Sequence, residues 1–237
     1  TEKQKILTKN NNKTVKQDTR TIDYYVSDSK GSDTNTGTSE SPFKTIQTAL
    51  DKTSADNTYN IHILEGTYKG LGNTNLTVNG NYNINLIGSG INKTIFDGEA
   101  KFDIDTMEYH WESSDIWSFY VNESGNYFMT IEKGNGQISI SDLLVTKMYS
   151  RGGTSIASYP HATIDNYANL KVNNVYFNEN YAGVGSAIRN NKDATLIVNN
   201  SFFENNKKSS STGNEGTIYN NGTATILNSL FNHNYAR

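Results

Sequence analysis

The chain has 237 residues, a formal net charge of −3, 34% hydrophobic residues and a mean hydropathy of −0.67. That charge is too small to indicate a nucleic-acid partner, and the absence of cysteine excludes disulfide frameworks and thiolate metal sites. Low hydropathy alone would suggest disorder. The 15 Tyr and 9 Phe argue instead for a thin, elongated core, because aromatics bury a large area per residue.

Residues 1–20 are polar and rich in Lys and Asn, and read as a flexible leader. The domain is expected to run over 21–237. Ile22 to Ser27 reads as a strand. The following stretch, Asp28 to Gly37, is built from turn formers. Its clustered oxygen side chains fit either an Asx-turn loop or a calcium loop, although the spacing is not that of an EF-hand. Ser41 as N-cap and Pro42 at the first helical position predict a short helix over about 42–53. Phe43, Ile46 and Leu50 would lie on one face of it and cover the open first rung of a stack.

From about residue 60, short β-rich runs alternate with Gly and Asn turns, as in Ile61–Leu64, Leu76–Val78, Ile84–Ile87 and Thr94–Phe96. A long insertion occupies about 99–127. Three later segments then repeat, beginning at Leu170, Leu196 and Ala224, with a weaker copy at Ile138. Each of the three is preceded by an Ile-x-Asn strand, ending at Asn166, Asn190 and Asn220. Asn174 and Asn200 are 26 residues apart, and Asn200 and Asn228 are 28 apart. Those periods suit one coil of a three-faced β-helix. The predicted fold is therefore all-β, a right-handed single-stranded parallel β-helix with a short N-terminal capping helix.

Aligned on that period, Ile164, Ile188 and Ile218 form one inward column, and Val172, Val198 and Ile226 a second. Phe177, Phe203 and Phe231 form a third, with Val145 above them. Asparagines mark the turns in three columns: 166/190/220, 174/200/228 and 180/206/234. Asn tolerates the left-handed conformation, and stacked amides can bond along the stack. Asp142 takes the place of an Asn in the second of these columns and reads as a turn residue or, less simply, as one ligand of a calcium site. An outward column is expected from Glu132, Asp165, Arg189 and Tyr219, with Asp165 and Arg189 forming a cross-strand ion pair.

Three parts of the chain carry a family resemblance. Gly185-Ser-Ala-Ile188 and Phe203-Glu-Asn-Asn206 resemble the GGAI and FxxN signatures of chlamydial polymorphic outer-membrane proteins, although Ser186 stands where the second Gly would be. The run from Gly216 to Ile226 is similar to the repeats of methanogen adhesin-like surface proteins. Tyr25-Val-Ser, Gly31 to Gly37 and Ser41 to Gln47 look like the start of many pectin-lyase-like β-helix proteins, enzymes and adhesins alike. The resemblance implies an extracellular, envelope-linked protein that takes part in attachment at a cell surface.

Function is expected on loops. The stretches 149–162, 181–186 and 207–216 all fall between an FxxN turn and the next Ile-x-Asn strand. If Ile95-Phe-Asp-Gly98 fills the same slot, so does the insertion. Insertions at one point of successive coils emerge along one side, where recognition concentrates. The insertion holds both tryptophans, and its Tyr109, His110, Trp111, Trp117 and Tyr120 suit a mini-core that pins the loop or a contact with sugar rings or a protein. Tyr149, Arg151, Tyr159 and His161 on the next loop can join either arrangement. The four histidines lack metal-ligand spacing, and no cofactor is expected, with calcium the one open exception. Glycosidases need paired carboxylates, and the Asn-x-Asp, Asp-Asp, Gly-His-Gly and Arg-x-Lys segments of β-helix polygalacturonases do not occur here. An adhesin module is thus expected rather than an enzyme. Its partner would be a glycan or a surface protein of another cell. A polysaccharide lyase or hydrolase and a passive stalk are the alternatives. A monomer is expected, with no nucleic acid and no membrane insertion, since no apolar run approaches the length of a span. Six N-x-S/T sites occur, at Asn12, Asn75, Asn92, Asn122, Asn199 and Asn221, as an Asn-rich chain generates by composition. The chain starts at Thr1 and stops at Arg237 inside a repeat unit, so a removed leader and further coils are expected.

Overall fold

Strands this short cannot bury two faces alone, so each coil lays its strands on those of the coil before. The computed structural model describes residues 20–100, 126–150, 161–208 and 216–235. In chain order, β1 is Arg20–Val26, α1 Ile46–Asp51, β2 Asn57–Ile63, β3 Gly66–Tyr68, β4 Leu76–Val78, β5 Asn83–Ile87, β6 Thr94–Asp97 and β7 Met129–Ile131. Then follow β8 Gln137–Thr146, β9 Tyr149–Ser150, β10 Ile164–Asn166, β11 Asn169–Asn178, β12 Tyr181–Ala182 and β13 Ile188–Asn190. The last are β14 Thr195–Asn199, β15 Phe202–Glu204, β16 Lys207–Lys208, β17 Ile218–Asn220, β18 Thr223–Leu227 and β19 Leu230–Asn232.

Among the described residues every strand pair is parallel, and all but those of the small sheet β9-β12-β16 fall on three faces. The first face runs β1-β2-β5-β8-β11-β14-β18. The second is made by β3, β6, the C-terminal halves of β8 and β11, β15 and β19. The third runs β4-β7-β10-β13-β17. The fold is an all-β parallel β-helix, with α1 at its N-terminal end.

The expected columns are in register. Ile164 pairs with Ile188 and Ile188 with Ile218. Val172, Val198 and Ile226 align. Val145, Phe177, Phe203 and Phe231 align on the second face, and Phe96 precedes Val145, so Ile95-Phe-Asp-Gly98 does fill the FxxN slot. The Phe203 ring stacks on Phe177 at 5.0 Å and on Phe231 at 4.5 Å, and is fully buried.

Asparagine ladders hold the turns. Asn166 Nδ2 donates to Asn190 Oδ1 and Asn190 Nδ2 to Asn220 Oδ1, both at 2.7 Å. Asn180 Nδ2 donates to Asn206 Oδ1 at 3.0 Å, and Asn206 Nδ2 to Asn234 Oδ1 at 2.9 Å. The left-handed conformation belongs to the middle column only: Asp142, Asn174, Asn200 and Asn228 have φ of 59°, 52°, 50° and 48°. In the third column it falls one residue earlier, at Glu179, Asn205 and His233, which frees Asn180, Asn206 and Asn234 to point inward.

The helix differs from expectation. It begins at Ile46 with Thr45 as N-cap, not at Ser41-Pro42. Two competing bonds explain the shift. Phe43 pairs with the edge of β1, its N–H donating to the Tyr25 carbonyl and its carbonyl accepting from the Ser27 N–H. The Asp33 carboxylate then accepts the N–H groups of Lys44 and Thr45 at 3.0 and 2.9 Å, which holds 42–44 extended. Asp33 of the 28–37 turn thus binds Lys44 and Thr45, at the entry to the helix. The capping role is specific: Gln47 Oε1 accepts from Thr77 N at 3.0 Å and its Nε2 donates to Thr77 O at 3.3 Å. One side-chain amide so pairs both backbone groups of the edge strand β4.

Replacing Phe203 by Asp puts an unpaired charge between two stacked rings and is expected to cost more than about 4 kcal/mol. Chemical denaturation checks it, and an unchanged midpoint would refute the register.

Candidate functional site

The three insertion points start from one small sheet. β9, β12 and β16 pair in parallel, with Tyr149 opposite Tyr181 and Tyr181 opposite Lys207. The loops therefore leave the stack on one side, as the spacing predicted. Tyr149 is buried and its ring stacks on Tyr181 at 5.7 Å. The insertion closes at its base, where Asn126 Nδ2 donates to the Gly98 carbonyl at 3.2 Å. Asn75 then fixes the return: its Oδ1 accepts from Tyr127 N at 2.9 Å and its Nδ2 donates to Asn126 Oδ1 at 3.0 Å. Asn126 in turn accepts the Tyr149 N–H at 2.8 Å.

This return segment brings the next loop into place. The Tyr127 ring lies flat on His161, with centroids 4.1 Å apart and planes 13° apart. His161 Nδ1 is 2.9 Å from Asp165 Oδ2, and Arg189 Nε donates to Asp165 Oδ1 at 2.6 Å. Asp165 lies on β10 of the third face, opposite Arg189 on β13 and Thr130 on β7. The expected ion pair is present, but its column differs from expectation: Thr130 stands where Glu132 was expected. Glu132 falls beyond the end of β7, and its N–H donates to the Val78 carbonyl. Nor is the column solvated, since the Asp165 side chain is 1% exposed and that of Arg189 10%. The Thr130 hydroxyl beside them is buried and has no hydrogen-bond partner among the described residues.

Chemically, the buried carboxylate is held by two nitrogens and fixes the ring of a half-exposed His161. A neutral ring that donates through Nδ1 keeps its lone pair on Nε2. Gly185 is demanded by the backbone of the coil, since its φ is +60° and a Cβ there would lie 2.5 Å from the Ile188 carbonyl oxygen. That requirement accounts for the first position of the Gly-Ser-Ala-Ile motif.

Of the expected site residues, Tyr149 and His161 are brought to one side through Asn126 and Tyr127. Tyr109, His110, Trp111, Trp117, Tyr120, Arg151 and Tyr159 lie outside the described residues. Tyr127 was missed; its only signal was an aromatic two residues ahead of a strand. Among the described residues, no three His, Asp or Glu side chains gather as a metal would need, and no helix is long and apolar enough to cross a membrane.

A family model described as a protein of unknown function, DUF1565, matches residues 29–235. The chain belongs to the DUF1565 family. A comparison with curated proteins finds no match. Among solved structures, the DUF1565 chain is similar to a pectin methylesterase in complex with a hexasaccharide, at 15% identity over 89% of this chain and 66% of that one, with a TM-score of 0.39. It is similar also to a rhamnogalacturonan lyase, at 13% identity over 90% of this chain and 50% of that one, with a TM-score of 0.30. It thus spans just under two thirds of the first enzyme's length and half of the second's.

A second polar cluster lies on the first face. Asp23 Oδ1 is 2.8 Å from His62 Nε2 and accepts from Asn60 Nδ2 at 3.0 Å. These bonds, His62 first, hold its carboxyl below the usual 3.8. A lowered folded value contributes stability above the unfolded value and loses it as pH falls through the folded one. His62→Ala should raise the Asp23 titration midpoint, read by carbon NMR; an unmoved midpoint would contradict the assignment. Arg189→Met should cost about 3–5 kcal/mol by leaving the buried Asp165 carboxylate with His161 Nδ1 but without its cationic partner. Most of that loss should return in Asp165→Asn with Arg189→Met, and a double variant as unstable as the single one would count against the pair.

Proposed function

We propose that this DUF1565 protein is an extracellular attachment module, an adhesin-like β-helix displayed at a cell surface. Its loop-bearing side would contact a glycan or a surface protein of another cell. The observation that carries this reading is the stacked start of the insertions on β9, β12 and β16, with the Tyr149–Tyr181 rings and the Tyr127–His161 stack beside it. A rigid stack that sends successive insertions from one point of its coils, with aromatic rings at their base, is a recognition scaffold in physical terms. The likeness of the repeats to methanogen adhesin-like proteins and chlamydial outer-membrane proteins supports the surface location.

A polysaccharide-acting enzyme is the second reading, and the buried Asp165 with His161 favours it. Against it stands the charge count. Hydrolysis of a glycosidic bond uses two carboxylates flanking the bond, whereas this cluster offers one, already engaged by Arg189 Nε and His161 Nδ1.

The test is a glycan-array and cell-binding screen with polyuronates and a product assay included. Binding without turnover is the expected result, and product release would replace the attachment reading by the enzymatic one. Trp111→Ala with Trp117→Ala should weaken that binding at least tenfold while the thermal midpoint stays within a few degrees. Unaltered affinity would remove the insertion from the binding surface.

A further inference from the structure

The outer surface of the second face carries a pattern that neither the core nor the loop side requires. Side chains alternate along a strand, so this face sends some of its residues to solvent. Register sets Ile95, Leu144, Tyr176, Phe202 and Leu230 in one outward column. Their inward neighbours Phe96, Val145, Phe177 and Phe203 are fully buried, so the outward five are not needed to fill the core. Phe202 is 39% exposed and Leu230 57%. Beside this stripe runs a polar column that includes Asp97, Asn178, Glu204 and Asn232. The Tyr176 hydroxyl donates to Glu204, whose other oxygen accepts from Asn232 Nδ2 at 2.7 Å.

A groove lies over the last three positions of the stripe, lined by Tyr176, Phe202 and Leu230 with Glu204 and Asn232; Ile91, from an earlier coil, also lines it. It reaches there because residues 88–93 form an extended turn where later coils have a single left-handed residue such as Asn174.

We propose that this groove binds one extended, neutral polysaccharide strand along the axis of the helix. Adjacent strands are about 4.8 Å apart, close to the advance of one sugar unit in an extended β-linked chain, so each coil presents one apolar and one polar group per sugar. Aromatic faces are negative and accept the polarised C–H groups of a pyranose, while the carboxylate and amides take its hydroxyls. Charge selects the class of polymer. The two columns hold Asp97 and Glu204 and no basic side chain, so a polyuronate would be repelled. Width selects against a protein, because a single column of five side chains falls well short of the about 20–30 residues a side of a standard interface. The site is separate from the loop side, so either reading can fail alone.

The experiment is calorimetric titration of the whole chain with cellohexaose, mannohexaose, chitohexaose and a galacturonate hexamer, each to about 1 mM. At least one neutral hexasaccharide is expected to bind, its trisaccharide at least tenfold more weakly, and the galacturonate hexamer not at all. Phe202→Ser and Tyr176→Ala should each weaken binding at least tenfold with unchanged melting, whereas Trp111→Ala with Trp117→Ala should leave the hexasaccharide affinity unaltered. No binding of any neutral hexasaccharide, tighter binding of the galacturonate, or affinity that survives both stripe substitutions would overturn the proposal. So would stripe substitutions that abolish adhesion only to a glycan-free protein surface.

Discussion

Everything in this molecule hangs on buried side-chain amides that bond from one coil to the next. A β-helix must bury its turns against each other, and a buried turn leaves carbonyls that water cannot reach. Here asparagine answers that demand twice over. Asn206 Nδ2 donates both to Asn234 Oδ1 and to the Phe177 carbonyl, and Asn190 Nδ2 both to Asn220 Oδ1 and to the Thr223 carbonyl at 3.1 Å. Loss of one such amide strands a buried acceptor at roughly 1–3 kcal/mol. The ladders also fix where each strand begins, and so set the register of the phenylalanine column and the point at which each insertion leaves.

Charge is treated by the same logic on the third face. An outward position on a strand is normally solvated, yet Asp165 is buried between Arg189 and His161. Removing two charges from water costs several kcal/mol per ion, recovered only when geometry is close. The 2.6 Å contact supplies such geometry, and the His161 ring under Tyr127 covers the carboxylate's second oxygen. The cluster ties the start of the described loop at 161 to two successive coils, so it stiffens the loop side whatever that side contacts.

Much of this was legible in the sequence, for a physical reason. A stacked repeat writes each column as a residue type at a fixed period, so the inward columns, the Asn positions and the common origin of the loops could be read without any coordinates. What could not be read depends on competition between local bonds. The Ser41-Pro42 start was a sound local signal for a helix, but Phe43 gained more by pairing with the edge of β1. The burial of Asp165 was hidden because Tyr127, whose ring holds His161 over it, is distant in sequence. The outward stripe was in view, since consecutive Phe202 and Phe203 must point to opposite faces, yet a search for the core naturally counts only the inward one. Most of the expected loop residues, Trp111 and Trp117 among them, fall where the structure offers no description, so that part of the reading rests on the sequence.

The closed base of the long insertion has a thermodynamic consequence of its own. Because the Gly98 carbonyl and the Asn126 amide already meet, the entropy of bringing the loop's ends together grows only logarithmically with its length, about 0.6 kcal/mol per doubling. The length of such an insertion therefore adds little to the cost of closing its base. A frame of this kind tolerates exchange of its loops as cassettes, so that new specificities can be tried at nearly constant folding energy.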